Sequence, residues 1–392
     1  MLLIVEEQNG KYLLNHLSNM HFQGETMQSV GVRPRRAKLN RFVKYGCILI
    51  GGSLAAILLF ECVLRLLYPP HNFLTPNVSH HESLGYHIKP FHAGHDAWGF
   101  RNQTIPAEVD TVVIGDSFAY GVSVSARDAW PEVLASNVAL PIYNLSVGGY
   151  GVRQYQYLLE TYATQLSPRQ VIISLYLGDD IAVKPPHFNR GNNQEKSSDQ
   201  YRFNLRRWLA SNSFLYHVIV QSAVGDWIRL VENWWLTNES SSERYIYFDN
   251  TANRTIFTPK PRLKNLDLSR ERNQIGLTAL KSIILEMERF SASKNMAFKV
   301  VVFPTKERVY KEHYLSVGNE NYPIMNQLFS AEDEVRKQLT RFLYEHQIAH
   351  LDLLESLVQE NRKSKLFFQD ANGHMAREGH KVAAKRIADE LY

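Results

Sequence analysis

The chain has 392 residues, of which 44% are hydrophobic and 21% are charged. This composition is ordinary for a globular protein, and the length suits one enlarged domain with appendages. Much of the net charge of +5 is local, because six basic residues crowd into residues 33–44. No nucleic-acid motif or basic patch with interleaved aromatic residues accompanies this cluster, which excludes nucleic-acid binding as the expected function.

An apolar stretch follows the basic cluster, from about Tyr45 to Leu67. Roughly 20 residues at helical rise span the hydrocarbon core of a bilayer, so the length fits a transmembrane helix. The basic residues predict that the amino-terminal side stays in the cytoplasm and that the rest of the chain is exported. Because bulky residues follow the stretch, we predict an uncleaved signal-anchor in the inner membrane, with the domain facing the periplasm or the exterior. A buried core helix is the alternative.

The domain organisation follows from these composition changes. Met27 begins a shorter basic leader, which leaves a translation start at Met1 or at Met27 open. Irregularly spaced histidines after the anchor match no zinc motif, so we expect surface histidines and no metal site. The predicted parts are a cytoplasmic basic tail (1–40), a transmembrane signal-anchor (41–68), a linker or lid (69–106) and the main domain (107–392).

From residue 107 short apolar runs alternate with helical patterns. This alternation predicts a three-layer α/β/α domain with a five-stranded parallel sheet. A helical insertion at 183–270 interrupts it, beside the strand ends, where it either covers part of the site or faces the membrane. For the four tryptophans of the insertion, core packing is favoured over a sugar platform or a lipid-facing belt. The predicted strands are 111–115, 141–145, 171–177, 298–304 and 348–352, and the predicted helices are 129–138, 152–166, 272–293, 332–347 and 375–391.

The first of these strands runs directly into a Gly-Asp-Ser turn that ends at Ser117. Such a turn lifts the serine off the carboxyl end of a buried strand, where open parallel sheets place their ligand chemistry. Near the end of the chain Asp370 and His374 come close together. A nucleophile followed much later by its acid and base is a chain order of serine-triad hydrolases. We therefore predict Ser117 as nucleophile, His374 as base and Asp370 as its orienting group, whereas His380 packs or faces solvent.

Acyl transfer also needs N–H donors aimed at the developing oxyanion. The main-chain N–H of Ser117 is the first predicted donor. The second is the N–H of Gly149, in a glycine-rich loop that follows the second strand. The third strand ends at Asp179 and Asp180, which places one more polar side chain at the same edge. This chemistry requires no metal and no organic cofactor.

Together these four blocks resemble the SGNH (GDSL-type) hydrolase superfamily, and the resemblance covers residues 107–392 in order. It implies a flavodoxin-like three-layer fold and hydrolysis of an acyl ester without a cofactor. A WGFR-like segment at 98–101 and a PTKERVY-like segment at 304–310 are typical of membrane-anchored envelope members, some of which are similar to alginate O-acetyltransferases. The four blocks are Gly115-Asp116-Ser117, Gly149, Gly178-Asp179-Asp180 and the pair Asp370 and His374.

Two positions depart from the family pattern. The third block of the family has an asparagine whose amide donates to the oxyanion, whereas an ionised Asp179 is only an acceptor. The spacing from Asp370 to His374 is one residue longer than the usual D-x-x-H, and Asn372 stands where a D-x-H aspartate would be. Both departures predict a slow or degenerate site.

The expected function is serine-dependent hydrolysis of an acyl ester, of the esterase or deacetylase type. Because the anchor confines the domain to the envelope, the expected substrate is an envelope glycan or lipid. One alternative is an O-acetyltransferase that acts on cell-surface polysaccharide, together with envelope polysaccharide machinery. The other alternative is a degenerate SGNH domain that binds glycan or serves as a scaffold. Lys306 and Arg308 are expected to be solvated loop charges, with contact to an acidic glycan as the alternative.

Overall fold

A computed structural model describes residues 35–181, 205–220, 246–250, 253–316, 322–368 and 373–392, with single positions at 222, 224, 225, 227, 228, 231 and 371. The chain divides into two compact units, Met1–Ile57 and Leu58–Tyr392. The second unit contains the sheet and the candidate site.

The strands that the structure describes comprise one large parallel sheet and two antiparallel hairpins. In chain order they are β1 (Val78–His81), β2 (Gly85–Ile88), β3 (Thr111–Gly115), β4 (Ile142–Asn144), β5 (Gln170–Tyr176), β6 (Ile246–Asn250), β7 (Asn253–Phe257), β8 (Ala297–Phe303) and β9 (Ala349–Asp352). The parallel sheet has the order β4-β3-β5-β8-β9, and the hairpins are β1-β2 and β6-β7. All five predicted sheet strands are present to within one residue at each end, which confirms the predicted α/β fold class.

The helices lie between these strands. They are α1 (Arg35–Leu67), α2 (Ser117–Tyr120), α3 (Trp130–Val138), α4 (Val152–Leu158), α5 (Thr164–Leu166), α6 (Leu177–Asp180), α7 (Leu205–Asn212), α8 (Phe214–Val220), α9 (Pro259–Leu266), α10 (Glu271–Ser293), α11 (Lys306–Val309), α12 (Lys311–Ser316), α13 (Pro323–Glu345), α14 (Leu354–Asn361) and α15 (Arg377–Leu391). A π-helical segment, Leu159–Ala163, joins α4 to α5, and 3₁₀ turns lie at Pro70–Asn72, His92–Gly94 and Ala126–Asp128.

Successive residues of the central strands point into two separate hydrophobic cores. Val112 and Ile114 of β3 belong to a core that also contains buried residues of α4, α10 and α13. Val113, between them, belongs to the second core, with buried residues of α3, α14 and α15. This alternation places helices on both faces of the sheet and explains why β3 and β5 are buried along their whole length.

The structure differs from the sequence prediction in the insertion and in one helix. The described part of the insertion contains the β6-β7 hairpin as well as helices, and Ile246 and Phe248, two residues apart in β6, are both buried. Trp208 and Trp227 are exposed, so core packing is wrong for these two, and Trp234 and Trp235 lie outside the described residues. Helix α13 begins nine residues before the predicted 332, with a proline at its first turn, where a missing N–H costs nothing.

Helix α1 contains the one candidate membrane span in the part of the chain that the structure describes. The span is Val43–Leu67, 25 residues long, and only 6% of its most apolar stretch is buried within the protein. A helix with so little buried surface does not fit the alternative of a core helix. The inner-membrane location and the outward orientation of the domain stay predictions.

The segment between α1 and the sheet is packed onto the domain rather than extended as a loose linker. Tyr86, Ile88 and Phe100 are buried in the same core as β3. His95, expected at the surface, is buried, and its Nε2 lies 3.0 Å from the hydroxyl of Tyr120. We call residues 69–106 the pre-sheet segment.

Arg101 fixes this segment to the turn that follows Ser117. Its side chain is buried, and its five N–H groups donate to five main-chain oxygens. The acceptors are the oxygens of His71 (2.9 Å), Asn72 (2.9 Å), Tyr120 (3.1 Å), Gly121 (2.7 Å) and Val124 (3.0 Å). Because a planar guanidinium presents its donors in a fixed fork, no other side chain can satisfy this set of carbonyls.

The substitution Arg101→Lys is therefore expected to lower the free energy of unfolding by about 3 kcal/mol, because at least two buried carbonyls lose their donors. Urea denaturation of the full chain in detergent measures this change. The matched control is Arg169→Lys, since Arg169 is 85% exposed and pairs with Asp110 at 3.5 Å, a contact worth less than about 1 kcal/mol. Equal changes in the two variants would contradict the proposed contribution of the Arg101 bonds.

Candidate active site

The serine turn is built by close packing around Gly115. A Cβ on Gly115 would lie 2.7 Å from the Cβ of Ser174 and 3.0 Å from that of Ala119, so the strand can end here only at a glycine. Asp116 then caps α2, because its Oδ1 accepts the N–H of Phe118 at 2.9 Å. Its Oδ2 lies 3.4 Å from Ser117 Oγ. Asp116 thus holds the turn, and Ser117 is left half-buried at the carboxyl edge of the sheet.

The glycine-rich loop after β4 passes directly beside this serine. A Cβ on Gly148 would lie 3.7 Å from the Cβ of Ser117. Gly149, the predicted donor, has a φ of 90°, which a residue with a side chain rarely adopts. The loop is held from both sides, because Val147 donates its N–H to Gly115 at 3.2 Å and Tyr86 donates its hydroxyl to the oxygen of Gly148 at 2.7 Å. Sequence reasoning found this loop but not the role of Gly148 in the close approach.

The third block forms the short helix α6 at the end of β5. Asp180 is buried, and its carboxylate accepts the N–H of Tyr176 at 2.8 Å and the hydroxyl of Tyr155 at 2.9 Å. These bonds give Asp180 a structural role at the turn. Asp179, its neighbour, is half-buried. Asn265 of α9 donates to the oxygen of Gly178 at 3.1 Å, which attaches the insertion to this block.

His374 lies next to the serine turn. Its imidazole is 5.6 Å from the ring of Phe118, the residue that follows Ser117, measured between ring centroids. The main chain around it is fixed, because the oxygen of His374 accepts the N–H of Phe368 at 3.3 Å and Phe367 pairs with Met375. Asp370 and Asn372 lie outside the described residues. The structure therefore places the predicted base beside the serine turn, and the orienting role of Asp370 stays a prediction.

An aromatic layer lies beneath these groups. The rings of Phe118 and Tyr176 stack with centroids 4.1 Å apart, and Phe303 at the end of β8 is 5.7 Å from Phe118. The layer thereby connects α2 with the carboxyl ends of β5 and β8. The hydroxyl of Tyr176 is buried and has no hydrogen-bond partner among the described residues.

Arg262 of α9 is a site residue that sequence reasoning missed. Its guanidinium carbon lies 5.4 Å from the centre of the Tyr176 ring, and its Nη2 would be 3.0 Å from a Cβ on Gly373. Its Nε is buried and has no hydrogen-bond partner among the described residues. The Tyr176 phenol contributes most to raising the pKa of Arg262, and Glu307 and Asp179 raise it further against the effect of burial. The guanidinium thus lies between the layer, the third block and the histidine loop.

No spacing in the sequence could have identified Arg262, because it reaches the site only through the fold of the insertion.

Lys306 corrects a second expectation. It is 1% exposed and therefore not a solvated loop charge, whereas Arg308 binds Asp333 at 2.7 Å. Next to it, Glu307 accepts the N–H of Thr258 at 2.8 Å, which ties the end of β8 to the insertion.

His380 has a structural environment, as expected for a packed residue. It is 1% exposed, and its Nδ1 accepts the main-chain N–H of Trp130 at 3.2 Å. Burial, with smaller contributions from His374 and Arg101, lowers the pKa of His380 from 6.5 to about 3. The folded chain therefore holds this imidazole neutral over the whole physiological range.

The substitution His380→Asn is expected to flatten the acid side of the stability profile. Between about pH 6.5 and pH 3 the imidazole of His380 binds a proton in the unfolded chain but not in the folded chain. The free energy of unfolding is therefore unaffected by this group above pH 6.5 and decreases as the pH falls from 6.5 toward 3. The parent should lose about 1.4 kcal/mol per pH unit more than the variant between pH 6 and pH 4. The asparagine oxygen can still accept the Trp130 N–H. Urea titrations at several pH values provide the test, and parallel curves for the two proteins would contradict it.

Comparison with protein families and with curated proteins finds no match. Solved structures with similar folds include an acetylxylan esterase from Geobacillus stearothermophilus in a catalytic-mutant form, which is 12% identical, covers 73% of this chain and 95% of its own, and has a TM-score of 0.37. A GDSL-like lipase from Bacteroides thetaiotaomicron is 9% identical, covers 72% and 88%, and has a TM-score of 0.34. The psychrotrophic esterase from Pseudoalteromonas is 11% identical, covers 72% and 96%, and has a TM-score of 0.32. The chemistry of the candidate site follows from this chain's own residues, which resemble the SGNH blocks.

Proposed function

We propose that the chain is a membrane-anchored acyl-ester hydrolase of the SGNH type with Ser117 as its nucleophile. One observation carries the proposal. Ser117, the loop at Gly148 and Gly149, Asp179 and His374 come from four separate parts of the chain, yet each lies at or beside the carboxyl end of a parallel strand or the serine turn. Parallel sheets bind ligands at this edge.

In the proposed mechanism Ser117 Oγ attacks the ester carbonyl while His374 removes its proton. His374 then returns this proton to the leaving alcohol, and a water molecule hydrolyses the acyl-serine with His374 again as base. Asp370 orients His374 and stabilises its protonated form. The N–H groups of Ser117 and Gly149 donate to the oxyanion.

Arg262 offsets the charge of Asp179 in this proposal. A carboxylate at the position of a family asparagine removes a donor and repels a developing oxyanion. The guanidinium of Arg262 lies near enough for Asp179 to raise its pKa, and its buried Nε has no partner among the described residues. A cation at this position lowers the electrostatic cost of the oxyanion, so activity is retained although the asparagine is absent.

The proposed substrate is an acyl ester on an envelope glycan or lipid, because the candidate span of α1 confines the domain to a membrane surface. Asp179 favours one second candidate, a degenerate domain that binds glycan without turning it over. Transfer of the acyl group to a sugar hydroxyl uses the same acyl-serine and differs only in the acceptor.

A fluorophosphonate probe tests the nucleophile directly, because it forms a covalent bond with an activated serine and not with an ordinary one. The full chain in detergent should gain the mass of one probe less hydrogen fluoride on the peptide that contains Ser117, because the serine oxygen displaces the fluoride. The variant Ser117→Ala should remain unlabelled, whereas Ser136→Ala, which alters an exposed serine of α3, should label like the parent. Failure of the parent to label would refute an activated serine and favour the glycan-binding candidate. An acetyl ester supplied together with a glycan that has free hydroxyls then separates the two reactions, because transfer leaves the acetyl group on the glycan whereas hydrolysis releases acetate.

A further inference from the structure

The last turns of α1 hold the start of α8, a helix of the insertion, through one carboxylate. Glu61 Oε1 accepts the N–H of Phe214 at 2.9 Å, and its Oε2 accepts the N–H of Leu215 at 2.9 Å and the hydroxyl of Ser213 at 3.0 Å. These are groups at the start of α8, where N–H donors have no partner within the helix. Glu61 therefore fixes the start of α8 to the last turns of α1.

Arg65, one turn further along α1, completes this joint. Its Nε donates to Glu61 Oε1 at 3.0 Å, and its guanidinium carbon lies 5.3 Å from the centre of the Phe214 ring. It also donates to the oxygen of Asn212, the last residue of α7. Leu64, Leu74 and Phe214 form a small buried cluster below these polar contacts. The joint is thus both packed and hydrogen-bonded.

The two helices and the described residues after them expose large apolar side chains. The exposed fraction is 51% for Trp208 and 66% for Trp227. We call this set the apolar collar, and its members are Leu205, Trp208, Ile219, Val224, Trp227 and Ile228. Large apolar side chains exposed on two helices that contact each other indicate an interaction site, and the joint to α1 indicates what they contact.

The depth of the joint follows from the length of α1. The 25 residues of the candidate span rise about 37 Å, whereas the hydrocarbon core is about 30 Å thick. The final turn of α1 therefore reaches the layer of lipid headgroups, and Glu61 and Arg65 lie within about 10 Å of that end. Tryptophan is enriched at this layer because its ring is apolar and its N–H is polar.

From this placement we propose that the apolar collar lies in the interfacial layer of the same bilayer that α1 spans. The collar lies beside the point where the chain leaves the membrane and holds the domain against the lipid surface. This proposal takes α1 as the membrane-spanning helix and does not depend on the proposed ester hydrolysis.

The collar is also connected to the serine turn. Thr75 donates its N–H to the oxygen of Ala210 in α7 at 2.9 Å, and Phe73 packs on Phe214 with ring centroids 5.7 Å apart. The same stretch of the pre-sheet segment contains His71 and Asn72, whose carbonyls accept from Arg101. Arg101 also donates to carbonyls of the turn that follows Ser117. A membrane-bound collar thereby sets the orientation of the active-site edge relative to the lipid surface.

Tryptophan fluorescence in brominated vesicles tests the depth of the collar. The full chain is reconstituted in phosphatidylcholine vesicles with or without phosphatidylcholine that is brominated near the headgroup end of its acyl chains. The emission contributed by Trp208 and Trp227 is obtained by subtracting the spectrum of the double variant Trp208→Phe, Trp227→Phe. We expect bromine to reduce this component at least twofold. The component contributed by Trp130, obtained with Trp130→Phe, should remain unchanged, since Trp130 is fully buried in the domain.

Extraction at high pH with carbonate completes the test. A chain that resists extraction while its Trp208 and Trp227 component is not quenched would overturn the proposal and leave α1 as an anchor only, with a protein surface or a second copy on the collar. A chain that carbonate removes would overturn both the span and the collar. Folding of the variants is checked by the unchanged emission of the remaining tryptophans and by elution volume.

Discussion

Replacement of Ser117 by alanine is expected to lower kcat/KM for p-nitrophenyl acetate by at least about 10³-fold. The hydroxyl is the only group of the protein that forms a covalent bond with the acyl group in the proposed mechanism. Its removal leaves the oxyanion donors and His374 in place, and these provide only the residual rate that positioning allows.

The change in rate should occur without a change in stability. Ser117 is half-buried, and the contact of its hydroxyl with Asp116 is long, at 3.4 Å. We therefore expect Ser117→Ala and the control Ser136→Ala to unfold at the same urea concentration, although only the first loses activity. A Ser117→Ala variant that keeps the parent rate would show that turnover comes from another group or from a contaminant.

The substitution Asp179→Asn is expected to increase kcat by about 10²–10³-fold, because one amide donor to an oxyanion is worth this much in rate. The change also removes the repulsion between a carboxylate and the oxyanion. Steady-state hydrolysis of an acetyl ester by the full chain measures the gain. The absence of both a basal rate and a gain would favour a binding module over an enzyme.

Arg262 provides the matched test of this electrostatic argument. Arg262→Gln should lower the rate of the parent, in which the guanidinium offsets the charge of Asp179. The same substitution should cost less in the Asp179→Asn background, where there is no carboxylate to offset. Since the two residues interact, a double-mutant cycle should give a coupling energy above about 0.5 kcal/mol. Additive effects of the two substitutions would show that Arg262 does not offset the charge of Asp179.

The sheet could be predicted from the sequence because each of its strands has a strong local signal. Strands β3 and β5 are short runs rich in β-branched residues that are buried on both faces. The β1-β2 and β6-β7 hairpins carry no such signal. Tyr86 in β2 and Phe248 in β6 are buried only because the domain packs against these hairpins, and that packing is not written in the local pattern.

The candidate site divides in the same way. Ser117, Gly149 and His374 could be proposed because each follows or lies near a predicted strand end in a recognisable block. Gly148 and Arg262 could not, since their proximity to the site depends on loop geometry and on the path of the insertion. Position 370 lies outside the described residues, so the orienting group of His374 still rests on sequence alone.

The pre-sheet segment determines where the protein can be cut without loss of function. Tyr86 holds the oxygen of Gly148, Asn102 donates to the oxygen of Asn144 at 3.0 Å, and Arg101 holds the turn after Ser117. A cut between residue 86 and the start of β3 at residue 111 would separate Tyr86 from the domain, and a cut after residue 102 would separate Arg101 and Asn102 as well. Release of the domain by such a cut should thus lower the proposed activity, and a released form that keeps the bonds of Arg101 to His71 and Asn72 must retain the chain from before residue 70.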